Sequence, residues 1–126
     1  MSHFENILIL YAEVMPYNVK AFDELIRLNN KLKLNVVCFE KDKKITSYEP
    51  PLNPNITYLQ KSDPSFKFLK ELYINLKPKM VLVSGRMNKN YLKISREIKN
   101  KGVLVVGMND EQFLNNYKQM IQKIFS

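Results

Sequence analysis

The chain has 126 residues, of which 45% are hydrophobic and 25% charged, values typical of one soluble globular domain. No apolar run reaches the roughly 20 residues that cross a bilayer, and the opening residues do not resemble a secretion signal. The single cysteine, Cys38, excludes an internal disulfide and, because it lies in an apolar segment, predicts a buried thiol in a reducing cytoplasm.

The first half of the chain alternates buried strands with one amphipathic helix. The continuous apolar run of residues 6–12 predicts a strand covered on both faces. Residues 18–30 have helical spacing, and residues 34–39 and 55–60 predict a second and a third strand. The helix should turn these side chains toward one side: Val19, Phe22, Leu25, Ile26 and Leu28.

The second half continues the alternation. Helices are predicted over residues 62–76, 88–101 and 109–125, and strands over residues 79–85 and 103–108. The side chains expected on the inner faces of these helices are Phe66, Leu69, Leu72, Tyr73 and Leu76, then Tyr91, Ile94 and Ile98, and finally Phe113, Tyr117, Met120, Ile121 and Ile124.

Residues with strong positional preferences mark the helix ends. Asp63 should be the N-cap of the second helix and Asn88 the N-cap of the third. Gly102 should end the third helix in a left-handed conformation. On the outer side of that helix, Glu97 and Lys101 are four residues apart and should form an ion pair.

This order of elements predicts an α/β fold, a single Rossmann-like doubly wound domain with a five-stranded, mostly parallel sheet and helices on both faces. Right-handed crossovers place the strands in the order 3-2-1-4-5. The winding then reverses between the first and fourth strands, and ligands of such sheets bind at the carboxyl ends of the strands there. Residues 12–18, 84–90 and 107–110 should therefore lie together.

The turn after the first strand carries an acid and a possible sugar-binding wall. Glu13 could accept a hydrogen bond from a sugar hydroxyl or take a proton, or it could be a solvated acid or a partner of Arg86. Pro16 and Tyr17 could stack against a sugar ring, or the proline could simply mark the helix start.

The turn after the fourth strand could bind phosphate or carboxylate, and the turn after the fifth strand carries an acid. Gly85 would let a ligand approach the backbone, and Arg86 has the planar guanidinium group that binds phosphate or carboxylate. The alternative is that Gly85 only forms the turn and that Arg86 is an ordinary surface charge. Asp110 falls in a first helical turn, where the helix dipole favours an acid in any case. The candidate substrate-binding residues are Glu13, Met15, Pro16, Tyr17, Ser84, Gly85, Arg86, Asn109 and Asp110, with no catalytic residue and no metal ligand assigned.

Several common functions of this fold lack their signature residues. The turn after the first strand contains no glycine, so neither a G-x-G-x-x-G dinucleotide site nor a flavodoxin phosphate loop is present. A receiver domain would need an acidic pair there, where Glu13 stands alone. His3 is the single histidine and precedes the first strand, which excludes catalytic triads, Cys–His pairs and histidine zinc sites.

The net charge of +8 points to an anionic partner or to simple solubility. The cations are spread along the sequence, without an arginine-rich arm, an RNA-binding aromatic motif or a zinc finger. We therefore expect a weak attraction to anionic lipid, and we do not expect nucleic acid to be the partner.

Three stretches make the chain similar to a known family. They read ILILYAEVMPYNVKAFDEL, YEPPLNPNITYLQKSDPSF and LKPKMVLVSGRMNKNYLKISREIKNKGVLVVGMNDEQF. Over essentially its whole length the chain resembles the N-terminal domain of group 1 glycosyltransferases with the GT-B fold. The resemblance is most specific in KPKMVLVSGRMNKNYL and GVLVVGMND, and no single motif is strict.

The resemblance implies one half of a two-domain enzyme of polysaccharide biosynthesis. Residues 1–126 would form the acceptor-side domain, and the donor-binding C-terminal domain would lie outside this chain, as the apolar helical end of the sequence also suggests. Family members use a nucleotide-sugar as donor substrate and need no cofactor. Because cytoplasmic members often act on lipid-linked acceptors, we expect a cytoplasmic protein in peripheral contact with the inner face of an anionic membrane.

Two departures from the family limit which residue roles can be carried over to this chain. Many members have a Gly-Gly pair after the first strand, where this chain has Glu13 to Pro16. Many also have a histidine after the fourth strand, where Arg86 and Met87 stand. The roles of the glycine pair and of that histidine therefore cannot be carried over to this chain. The resemblance still implies retaining, metal-independent sugar transfer to a saccharide or lipid-linked acceptor, with the isolated domain inactive. The alternative is a non-catalytic doubly wound domain that binds a partner or nucleic acid through its basic surface.

Overall fold

The computed structural model describes residues 5–11, 16–38, 53–60, 64–84 and 88–108. Within them, strands and helices alternate in chain order, and their bounds lie within a few residues of those predicted. The elements are β1 (Glu5–Leu10), α1 (Pro16–Leu28), β2 (Leu32–Cys38), β3 (Ile56–Gln60), α2 (Phe66–Leu76), β4 (Met80–Ser84), α3 (Lys89–Asn100) and β5 (Leu104–Met108).

The five described strands form one sheet in which every pairing is parallel. Their order is β3-β2-β1-β4-β5, which confirms the predicted doubly wound topology. β1 is the central strand, with Ile9 opposite Val36 of β2 and Leu82 of β4. Residues Ile7 to Leu10 of β1 are completely buried, as expected for a continuous apolar strand covered on both faces.

Successive residues of β1 pack into two different hydrophobic clusters. Ile7 and Ile9 pack with Phe22 of α1, whereas Leu8 and Leu10 pack with Leu69 of α2 and Ile94 of α3. Neighbouring side chains of a strand point to opposite faces of the sheet. Helix α1 therefore covers one face, and α2 and α3 together cover the other.

Most of the predicted inner faces and helix ends are confirmed. Tyr91, Ile94 and Ile98 are buried on α3, and Cys38 is a buried free thiol. Asn88 caps α3, and Gly102 just beyond that helix has a left-handed φ of 85°. The predicted helix over residues 109–125, its apolar side chains, the proline-rich approach to β3 and His3 lie outside the described residues.

Helix α2 begins later than predicted, and its cap is a different residue. The N-cap is Ser65, whose Oγ accepts a hydrogen bond from the backbone N–H of Phe68 at 3.1 Å. A Ser hydroxyl at this position satisfies one of the N–H groups that the first helical turn leaves unpaired. The assignment of Asp63 as the cap is therefore wrong.

Two surface predictions are also wrong. Leu28 is 41% exposed rather than part of the inner face of α1, because it is the last residue of that helix. Glu97 does not pair with Lys101. Helix α2 lies alongside α3, so Glu97 pairs with Lys70 of α2 at 3.1 Å, and the Lys101 ammonium lies 5.4 Å from the centre of the Tyr73 ring.

The C-cap of α2 has a conformation that is unusual for its residue type. Lys77 adopts φ 47° and ψ 57°, in the left-handed region that glycine favours. Its backbone N–H donates to the carbonyl oxygen of Tyr73 at 3.0 Å, which satisfies one of the last carbonyl groups of the helix. The turn leads directly into β4, so it sets where that strand begins.

Candidate functional site

The described strands all end at one edge of the sheet, because they are parallel and in register. Leu10 of β1 lies opposite Val37 of β2 and Val83 of β4, and Ser84 at the end of β4 lies opposite Met108 of β5. This carboxyl edge is where the chain enters the three segments that carry the predicted site.

The winding reverses at the middle of this edge. From β1 the chain passes to α1 on one face of the sheet, and from β4 it passes to α3 on the other face. The connections after two adjacent strands therefore diverge, which opens a crevice between them in sheets of this kind. The segments after β1 and β4 start on either side of that crevice.

Three of the predicted site residues have a described position. Pro16 and Tyr17 are the first two residues of α1, and Ser84 is the last residue of β4, next to the crevice. The other candidates lie outside the described residues: Glu13, Met15, Gly85, Arg86, Asn109 and Asp110. Their assignment stays a prediction.

A buried tyrosine of α3 holds the end of β1 in place. The hydroxyl group of Tyr91 donates to the backbone oxygen of Tyr11 at 2.8 Å, and the backbone oxygen of Val37 lies 3.4 Å away. The backbone N–H of Tyr11 in turn donates to the same Val37 oxygen at 2.8 Å. The residue from which the chain leaves β1 is thus joined both to β2 and to α3.

The environment of Tyr91 keeps its phenol neutral. Burial raises the pKa of Tyr91 well above the usual value, and the nearby Cys38 thiol raises it further. Only the protonated phenol can donate a hydrogen bond to a carbonyl group. The anchor at the carboxyl edge is therefore maintained at every pH at which the protein would ordinarily work.

Asparagine side chains fix the start of α3 at the same edge. Asn88 Oδ1 accepts hydrogen bonds from the backbone N–H groups of Asn90 at 2.8 Å and of Tyr91 at 3.3 Å. Asn90 Nδ2 donates to the backbone oxygen of Pro64 at 3.0 Å, immediately before α2. The first turns of α2 and α3 are therefore held together beside the crevice.

The electrostatic field at this edge favours negative charge. Helices α1 and α3 follow the two strands that flank the crevice, so both begin there. A helix N-terminus carries a partial positive charge from its unpaired N–H groups. Within the described ranges, no three His, Cys, Asp or Glu residues lie close enough to hold a metal ion. The edge is suited to a polar or anionic ligand.

Sequence reasoning placed Tyr91 in the core but missed its hydroxyl bond. The only signal is a polar atom on a residue whose position in the helix is otherwise apolar. A second missed feature is Asn35, a buried amide that donates to Ile7 O at 3.3 Å and to Asn6 Oδ1 at 3.3 Å. Asn6 in turn donates to Leu76 O at 2.9 Å, so these amides join β1, β2 and the end of α2.

Comparison with solved structures supports the fold. The chain is similar to the enzyme WbmH of Bordetella bronchiseptica, whose crystal structure contains NAD+, with a TM-score of 0.56 and 14% sequence identity. The match covers 80% of this chain and 37% of WbmH, so the chain corresponds to little more than a third of that enzyme. No family model matches the sequence, and no curated protein matches it.

One further finding concerns membranes. Among the helices of the described ranges, none combines the length and the apolar character that a bilayer span requires.

The sheet order and the likeness to WbmH together establish that the described residues have a Rossmann-like α/β fold with a parallel five-stranded sheet.

Proposed function

We propose that the chain is the acceptor-side domain of a glycosyltransferase that moves a sugar from a nucleotide-sugar donor to a saccharide or lipid-linked acceptor. The observation that carries the proposal is the reversal of winding between β1 and β4 at the carboxyl edge. The segments with Glu13 and Arg86 leave the sheet on either side of that point. A carboxylate and a guanidinium are suited to sugar hydroxyls and to phosphate.

The glycine pattern argues against the ligand seen in WbmH. A dinucleotide site needs glycines directly after the first strand, so that the pyrophosphate can approach the backbone. The residues that follow Tyr11 are Ala12, Glu13, Val14 and Met15. Side chains at all four positions favour a wall against which an acceptor sugar can lie, rather than a cradle for phosphate.

In the proposed reaction this domain binds and orients, and the second domain holds the donor. Arg86 would lie near the departing nucleoside diphosphate, whose developing charge the α3 N-terminus would also stabilise. Glu13 and Asp110 would accept hydrogen bonds from acceptor hydroxyl groups. Such stabilisation needs neither a cofactor nor a metal ion. Because half of the cleft belongs to the second domain, residues 1–126 alone should not transfer sugar.

A titration of the complete enzyme with a panel of nucleotide-sugars tests the proposal. We expect one donor to bind and to release its nucleoside diphosphate when an acceptor is added. NAD+ serves as the comparison ligand because WbmH contains it. Tight binding of NAD+ without binding of any nucleotide-sugar would refute sugar transfer. Transfer by residues 1–126 alone would refute the division into two half-sites.

The distribution of charge favours a second candidate function. Helices α2 and α3 with their C-caps carry most of the positive charge of the described residues, which would suit a non-catalytic domain that binds an anionic partner. That candidate predicts no binding of nucleotide-sugars and no change in partner binding when Arg86 is replaced. The same titration therefore separates the two functions.

A further inference from the structure

Most of the excess positive charge of the described residues lies on one side of the sheet. Helices α2 and α3 with their C-caps contain eight cations, Lys67, Lys70, Lys77, Lys89, Lys93, Arg96, Lys99 and Lys101, against two acids, Glu71 and Glu97. The surplus of six is most of the net charge of +8. Helix α1, on the opposite face, has two cations and two acids and is neutral.

The spacing of these cations forms two parallel stripes. On α2 and its C-cap, Lys67, Lys70, Ile74 and Lys77 follow one another at intervals of three and four residues. On α3, Lys89, Lys93 and Arg96 do the same. Residues at these intervals share one side of a helix. Both helices cover the same sheet face, so their outer sides point away from the sheet together. We call these seven residues the basic helix face.

The seam between the two helices is built from lysines over aromatic rings. The Lys93 ammonium lies 4.4 Å from the centre of the Phe66 ring, and the Lys101 ammonium lies 5.4 Å from the centre of the Tyr73 ring. Cation–π contacts keep these charged groups at the surface while their stems cover apolar atoms. The contacts therefore favour positions of Lys93 and Lys101 beside the seam.

The acidic residues on these helices neutralise little of the positive charge of the basic helix face. Glu97 is engaged with Lys70 at the seam, which leaves Glu71 as the remaining carboxylate of α2 and α3. Within the described residues, Lys67, Lys89 and Arg96 take part in no ion pair and no cation–π contact, and all three are exposed. Beside them Ile74 is 51% exposed, an apolar group in the middle of a basic stripe.

We propose that the basic helix face docks on the surface of an anionic lipid bilayer. A cluster of four to eight cations on a helical surface is the pattern that binds acidic lipid headgroups, each cation adding roughly fivefold to the partitioning. Ile74 would enter the headgroup region, where an isolated apolar side chain gains from leaving water. The carboxyl edge of the sheet would then lie side-on to the membrane, open to an acceptor that is itself in the lipid.

The chemistry of the face favours lipid over nucleic acid. Six of the seven residues are lysine or isoleucine, and Arg96 is the one guanidinium. Single-stranded nucleic acid is usually held by aromatic rings on which the bases stack, and the described aromatic rings at this seam are covered by lysines of the protein itself. Ammonium groups around an exposed aliphatic side chain suit a fluid headgroup layer, which needs no directional contact.

Sedimentation with lipid vesicles tests the docking. The protein should bind vesicles of equal parts phosphatidylglycerol and phosphatidylcholine and should not bind vesicles of phosphatidylcholine alone. It should dissociate from the anionic vesicles as the salt concentration is raised. The variant Lys67→Gln/Lys89→Gln/Arg96→Gln should bind at least about tenfold more weakly. Its circular dichroism spectrum and melting temperature should stay unchanged, because the three side chains are exposed.

A matched variant controls for net charge. Lys20→Gln/Lys31→Gln/Lys33→Gln removes the same three charges from exposed positions outside the basic helix face. Its binding to the anionic vesicles should fall by less than about threefold, because only long-range attraction is lost. Equal weakening in the two variants would mean that net charge alone acts, and the proposal would then be wrong.

Two further outcomes would overturn the docking. One is a failure of the unaltered protein to bind anionic vesicles at low salt. The other is tighter binding to duplex DNA or RNA than to the vesicles, lost in the variant of the basic helix face, which would assign the face to nucleic acid. None of these measurements depends on sugar transfer, so the membrane proposal and the proposed function can fail separately.

Discussion

The hydroxyl group of Tyr91 lies 2.8 Å from the backbone oxygen of Tyr11, across 80 positions of the chain. This single bond ties the first turn of α3 to the point where β1 ends. Because β1 is the central strand and the winding reverses beside it, the bond holds the end of that strand next to the crevice.

Removal of the Tyr91 hydroxyl should destabilise the fold. Tyr91→Phe leaves the buried oxygen of Tyr11 without this donor, and an unmet buried hydrogen-bonding group costs about 1–3 kcal/mol. We expect a loss of that size in the free energy of unfolding measured with urea. Tyr73→Phe is the control, since among the described residues the hydroxyl of half-buried Tyr73 has no hydrogen bond. Equal losses in the two variants would contradict the anchor.

The stability of the protein should fall at high pH partly through Tyr91. Burial raises the pKa of the folded Tyr91 above its unfolded value of 10.0, so above that pH the unfolded state loses its proton first. The contribution is fully present below pH 10.0 and is lost as the pH rises toward the folded pKa. Urea unfolding from pH 8 to pH 11 should show a steeper decline in the unaltered protein than in Tyr91→Phe. Parallel declines would show that other groups cause the effect.

The cap of α3 should be measurable by substitution of Asn88. Asn88→Ala removes the acceptor for two backbone N–H groups and should lower the free energy of unfolding by about 1 kcal/mol. Asn88→Asp should retain most of the stability, because a carboxylate also caps well and is favoured by the helix dipole. If the alanine and aspartate variants were equally unstable, the side-chain oxygen would not be the cause.

Two leucines of different burial should respond very differently to truncation. Leu69 is completely buried between the sheet and the α2–α3 pair, so Leu69→Ala should cost about 2–5 kcal/mol. Leu28 is 41% exposed at the end of α1, and Leu28→Ala should change stability by no more than about 0.5 kcal/mol. Thermal and urea unfolding of both variants measure the contrast, and a large loss from Leu28→Ala would contradict the described end of α1.

Replacement of Arg86 should affect activity rather than stability. If Arg86 stabilises the departing diphosphate, Arg86→Ala should lower kcat/KM of the complete enzyme by about 100-fold or more, the usual effect of losing one such group. Arg27→Ala is the matched control, since Arg27 lies in the last turn of α1 with Glu24 as its partner. Unchanged kinetics in Arg86→Ala would remove Arg86 from the site.

The topology could be predicted because each of its causes is local in the sequence. The strands read as apolar runs, α1 to α3 show helical spacing, and the right-handed crossover rule then leaves the order β3-β2-β1-β4-β5. The N-cap role of Asn88 and the left-handed conformation of Gly102 could also be predicted, since few residue types suit an N-cap or a positive φ.

The wrong predictions concern choices that depend on neighbours. Asp63 and Ser65 can both cap a helix, and only the folded chain shows that the Ser65 hydroxyl reaches the N–H of Phe68. Glu97 has an acceptable partner on its own helix, but α2 brings Lys70 to 3.1 Å. The bond between Tyr91 and Tyr11 could not be predicted, because the sequence shows only a phenol at an otherwise apolar helix position and nothing that identifies its partner.

The left-handed backbone of Lys77 suggests a compromise between conformation and surface chemistry. A glycine would take φ 47° without a Cβ penalty, whereas a lysine there costs about 1 kcal/mol in backbone strain. Lysine in exchange places a cation at the negative end of the α2 dipole. Lys77→Gly should therefore raise the melting temperature and loosen vesicle attachment at once, so thermal robustness and lipid affinity are opposed at this one position.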